Sequence, residues 1–161
     1  MDLGDLPAYL KALQDAAASA VVPAANAMAG QVQDRVQALL RETSHPPFTF
    51  FKAVAGRPPA YASGNLSRSV TLTPAYGAVR ATAGVGSHLR YSALQEFGGS
   101  TWPNNSPWMH WRNPHPWWKR RVTVPEHPYM RPAVEQCISD GSLTRVSMDA
   151  FYDRIRPFLN R

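Results

Sequence analysis

The chain has 161 residues, a net charge of +6 and a single cysteine, Cys137. That length favours one domain and can bury a core without a disulfide or metal staple, and one cysteine excludes an intramolecular disulfide. No apolar run is long enough to span a bilayer, and the acidic opening MDLGDLPAYL lacks the basic segment of a signal peptide, so neither a membrane span nor a signal peptide is expected.

The charge is unevenly placed. Residues 1–44 hold five acids and three bases, whereas residues 45–161 hold six acids and fourteen bases, mostly arginine. A basic second part suits nucleic acid, an acidic protein partner or simply a solvated face. Cys137 fits a protein assembled in a reducing cytosol.

Residues 5–42 read as one long helix, so 1–44 forms a helical element and 45–161 an α+β body, within one domain overall. Asp5 can cap the helix, and Pro7 suits its first turn, where its missing N–H would be unpaired anyway. Apolar residues recur at helical spacing from Leu6, Leu10 and Leu13 through Ala17, Val21 and Met28 to Val36 and Leu39. Pro23 falls inside this pattern and should kink or divide the helix. Residues 45–61 hold four prolines and a glycine, which predicts an irregular segment. Its Phe48, Phe50 and Phe51 are too apolar for a free linker, so some should pack.

Residues 69–73 and 78–85 alternate as strands around the turn-forming residues 74–77, which predicts an antiparallel hairpin. Residues 91–97 read as a short helix anchored by Tyr91 and Phe97, with Gly98 supplying a left-handed ending and Glu96 left to pair with an arginine across a subunit boundary. Residues 100–118 contain all five tryptophans, Trp102, Trp108, Trp111, Trp117 and Trp118, among four prolines. This composition excludes regular helix and predicts a stiff arm. Residues 119–124 follow as a strand, residues 125–128 turn the chain, and Pro132 opens a helix to about Ser139 that carries Cys137 as a small core residue. Ser147 should cap a last helix over 148–159, with Phe151, Ile155 and Leu159 on one face.

Catalytic patterns are weak. His110, His115 and His127 lack metal-site spacing, and Pro114 and Pro116 prevent a helical ligand pair. Ser63 and Ser67 sit in no G-x-S-x-G elbow. Glu96 and Glu126 could pair as glycosidase carboxylates only by chance of folding. Gly84-Val85-Gly86 lacks the third glycine of a dinucleotide loop. The expectation is therefore no enzyme, no cofactor and no metal. The run from Trp117 to Arg121 could stack bases and hold phosphates, but the interleaved prolines favour an interface.

Several segments fall in a familiar order. Residues 64–70 (GNLSRSV) resemble the G-x-L-x-x-S-hydrophobic opening of the tail-completion, or tail-component, family of long-tailed phages. Gly84-Val85-Gly86, Tyr91-Ser92-Ala93 and Glu96-Phe97-Gly98-Gly99 resemble its central motifs, and residues 128–133 (PYMRPA) resemble its closing one, with His127 where an arginine is common. The resemblance covers about residues 60–136. It implies an α+β fold with a long N-terminal helix packed on a small antiparallel sheet and short C-terminal helices. It also implies a structural virion subunit, assembled in the host cytoplasm, that forms a ring, commonly hexameric, in the phage neck or tail between head connector and tail tube. Tail terminators are a related alternative, and a sequence-independent nucleic-acid-binding protein is another. On this reading Trp102, Trp108, Trp111, Trp117, Trp118, Glu96 and Arg131 meet neighbouring subunits or partners. Lys119, Arg120 and Arg121 face passing DNA or an acidic partner.

Overall fold

The computed structural model describes residues 5–42, 53–60, 63–77, 80–103, 109–111 and 117–159. Phe48, Phe50, Phe51, Trp108 and His115 lie outside them. The described chain is α+β, with a long N-terminal helix, small two-stranded sheets and C-terminal helices. It divides into two compact units built from interleaved segments rather than at residue 44. Unit 1 comprises Met1–Arg35, Thr71–Gly86 and Val134–Arg161, and unit 2 comprises Val36–Val70 and Ser87–Ala133.

The first helix, α1, spans Leu6–Glu42 and runs unbroken through Pro23, so the expected division does not occur. One proline removes a single N–H from the ladder, and the turns on either side retain theirs. Burial along α1 departs from the apolar stripe. Ala20, Ala29, Val36, Leu39 and Leu40 are buried, whereas Leu6, Leu10 and Met28 are exposed. Periodicity marks a face, but burial also requires another element to reach that turn.

In unit 1 the strands β1 (Val70–Tyr76) and β2 (Thr82–Ser87) pair. The expected turn at 74–77 is displaced, because Pro74, Ala75 and Tyr76 continue β1. Each strand of a two-stranded sheet has one unpaired edge, which can accommodate a residue with no N–H. The chain leaves β1 at Gly77, whose φ is 122° and where a Cβ would lie 2.0 Å from the Arg80 carbonyl oxygen. Gly84 and Gly86 sit within β2 without positive φ.

Two helices complete unit 1, α4 (Met130–Ser139, begun in unit 2) and α5 (Ser142–Leu159). Pro132 occupies the first turn of α4. The last helix starts earlier than Ser147, because the Asp140 carboxylate accepts the Ser142 amide at 2.9 Å and supplies the cap. The Ser147 hydroxyl instead donates to Thr144 O in its own helix at 2.9 Å. Of the expected apolar face, Phe151 and Ile155 are half-buried while Leu159 is exposed.

Contacts from α1 bind these elements together. Asn26 Oδ1 accepts the β1 amide of Ala75 at 2.7 Å, which joins helix to sheet. Cys137 is fully buried with Sγ 3.9 Å from Gln31 O. Arg35 meets Asp140 at 2.6 Å, and the Tyr9 hydroxyl donates to Phe158 O at 2.6 Å.

Unit 2 contains the short helices α2 (Asn65–Ser69) and α3 (Ser92–Phe97) and the strands β3 (Gly99–Thr101), β4 (Met109–Trp111), β5 (Trp117–Lys119) and β6 (Val122–Val124). The strand expected over 119–124 is divided: Lys119 ends β5, residues 120–121 break the ladder, and β6 begins at Val122. Residues 53–60 have no regular structure, as their prolines predict.

Candidate functional site

The described residues of the tryptophan-rich segment form a β-ribbon of two short antiparallel pairs. β3 and β6 form the outer antiparallel ladder, with Gly99 opposite Val124 and Thr101 opposite Val122. Nested within it, β4 and β5 pair antiparallel, with Met109 opposite Lys119, His110 opposite Trp118 and Trp111 opposite Trp117. Pro103 falls outside these paired residues, so it removes no donor from the ladder. Among the described residues neither β4 nor β5 pairs with another strand.

The outer ladder explains the nearest aromatic contact. Extending its register by one residue sets Trp102 opposite Arg121, and the guanidinium lies 5.5 Å from the indole centroid. Trp102 remains 58% exposed, so the pair adds about 0.5–1 kcal/mol of cation–π attraction. Arg120 and Arg131 are also exposed.

The root of the ribbon is held by a buried carboxylate. Glu96 closes α3 and is only 7% exposed. Its Oε2 accepts the amides of Tyr129 at 2.7 Å and Met130 at 2.9 Å, and its Oε1 accepts that of Arg131 at 3.0 Å. These donors belong to the first turn of α4 and the residue before it, where helical geometry leaves N–H groups unpaired and the dipole favours a negative charge. The expectation of a carboxylate left to pair with a neighbour's arginine is therefore corrected: Glu96 meets Arg131 through its backbone within the same chain. Glu126, by contrast, is exposed.

The expected anchoring by Tyr91 and Phe97 is likewise reversed. They are 43% and 78% exposed, and Glu96 is the buried residue of α3. Gly98 ends the helix with φ 65° but ψ −173°, so it occupies a glycine-only extended region rather than the left-handed helical one. A Cβ there would lie 2.8 Å from the Glu126 amide nitrogen and 3.0 Å from Val124 O. Close passage of the returning strand, as well as the turn, demands glycine.

His127 is a positioning residue that sequence reasoning missed. It is 6% exposed, and its Nδ1 lies 3.1 Å from the carbonyl oxygens of both Val54 and Arg57. Two acceptors on one ring nitrogen require that nitrogen to carry the proton. The His127 amide donates to Gln95 O at 2.6 Å, and Gly56 donates to Glu126 O at 2.9 Å. The irregular segment 53–60 is thus stitched to the chain returning from the ribbon.

Burial pushes the Tyr129 hydroxyl up to about 12, with the Glu96 carboxylate adding to the shift. Among the described residues no three His, Cys, Asp or Glu side chains gather as metal ligands, and no helix is long and apolar enough to cross a membrane. The chain matches no family model, no curated protein and no solved structure.

Proposed function

We propose that this chain is a structural, non-enzymatic subunit of a phage neck or tail that forms a ring and joins the tail to the head connector. The observation that carries this reading is the ribbon: one excursion, braced at its root by Glu96 and His127, holds every tryptophan of the chain. Trp-rich surfaces presented on a braced support are typical of interface anchors, because little freedom remains to be lost on docking. An edge strand with open N–H and C=O groups also offers a template for a neighbouring chain. The ordered motifs at residues 64–70, 84–99 and 128–133 support the phage assignment by resemblance. A subunit repeating one head-to-tail contact closes into a ring, for which a hexamer is favoured, with head-connector and tail-tube proteins as further partners in the virion.

Analytical ultracentrifugation, alone and with isolated connectors and tail tubes, tests the proposal. The chain should form a discrete ring or assemble on those partners. Replacing Trp108 and Trp111 by alanine should leave a folded monomer that no longer joins heads to tails. An unfolded double variant would make the tryptophans core residues, and normal infectious particles would remove the ribbon from assembly.

A further inference from the structure

Unit 2 carries the chain's excess of positive charge. Unit 2 holds ten Lys or Arg residues and three Asp or Glu, whereas unit 1 holds seven and eight. In unit 2, Arg41, Arg57, Arg68, Arg90, Arg120, Arg121 and Arg131 are all exposed among the described residues. Glu96 faces inward onto three amides, so Glu42 and Glu126 are the exposed acids there.

A cleft of about 160 Å³ opens in this unit, lined in part by Leu40, Pro59, Leu66, Ser67, Tyr91 and Gln95, with no acidic residue among the described residues of its wall. One arginine, Arg68, is tied to its lining by side-chain bonds. Arg68 is oriented by Ser63 O at 2.9 Å and Asn65 Oδ1 at 2.7 Å. Among the described residues, the buried Ser67 hydroxyl has no hydrogen-bond partner. An unsatisfied buried hydroxyl is costly, and a χ1 rotation would turn it toward an acceptor in the cleft.

We propose that unit 2 binds the phosphodiester backbone of duplex DNA without sequence preference, with one phosphate seated at this cleft beside Arg68, whose guanidinium is held by the lining residues Ser63 and Asn65. Phosphate oxygens accept from both guanidinium and hydroxyl donors, and they add no donor that the cleft would have to satisfy. Separate arginines distributed over one unit suit a polymer that repeats its charge better than a single carboxylate. The inference goes beyond the assembly reading and does not depend on a ring.

The test is fluorescence anisotropy of the full chain with labelled duplex DNA of mixed sequence, across a salt series. The logarithm of the binding constant should fall linearly with the logarithm of salt concentration. The Arg68→Gln variant should flatten that slope by roughly one, the loss of one phosphate contact, while Arg68→Lys keeps it. Ser67→Ala should melt no lower than the parent yet bind several-fold more weakly. The proposal is overturned by absent binding at low salt, by a slope indifferent to the glutamine variant, or by undiminished affinity of Ser67→Ala. Poly-glutamate competing as well as DNA would also overturn it, by identifying an acidic protein surface. Sedimentation reads ring formation separately, so DNA binding by a chain that never assembles would sink the preceding proposal and leave this one standing.

Discussion

Replacing Glu96 by glutamine tests the join between α3 and α4. The side chain keeps its length and loses its charge and one acceptor oxygen. With its remaining oxygen toward Tyr129 and Met130, where Oε2 now accepts at 2.7 and 2.9 Å, the new NH2 group faces the Arg131 amide, donor against donor. Loss of that charge-assisted bond costs about 1.5–3 kcal/mol. Loss of the negative charge at the helix N-terminus adds about 0.3–1 kcal/mol, and up to ~2 where partly buried. The expected destabilisation is therefore about 2–4 kcal/mol. With a urea dependence of roughly 2 kcal/mol per molar, the unfolding midpoint should fall by about 1–2 M. Amide exchange should rise first at residues 129–131, because those donors lose their acceptor before the rest of unit 2 opens. A midpoint within ~0.3 M of the parent, with unchanged exchange there, would refute the claim that this carboxylate holds the root of the ribbon.

Val36 is fully buried on α1, so Val36→Asp should cost about 3–5 kcal/mol as an unpaired buried charge, and an unchanged melting temperature would reject the placement. Gly98→Ala should cost more than Gly141→Ala in thermal melts, although both have positive φ, because a Cβ at 98 strikes the Glu126 amide while one at 141 meets nothing within 4 Å; equal losses would contradict the close passage. The Tyr129 pKa, raised from 10.0 to about 12, gives the folded state a tighter hold on its proton than the unfolded one. Its contribution to stability is full below pH 10 and is lost as pH rises toward 12. Alkaline denaturation of Tyr129→Phe should lack that component, and identical pH profiles for the two chains would rule it out.

Local chemistry was legible in the residue order. The expected helix over 5–42 and the observed α1 differ by one residue, because each turn is built from bonds between residues four apart and its alanine and leucine content favours them. Pro132 in an opening turn, the buried Cys137 and the break after Phe97 followed from equally short-range reasons. Nonlocal arrangement was not legible. Glu96 looked like a surface acid until the fold set it beside amides some 33 residues away. Ser147 looked like a cap, but Asp140 reached the first free amide of α5 before it. Pro74 looked like a turn residue, and only a two-stranded sheet with an open edge allowed it to remain in β1. Composition likewise showed a basic second part, whereas the interleaving of segments decided which unit carries that charge and left the other nearly neutral. Turns and helices are decided by bonds a few residues long. A carboxylate's partner or a surface's charge is decided by which distant segments share a neighbourhood, and that depends on packing the whole chain.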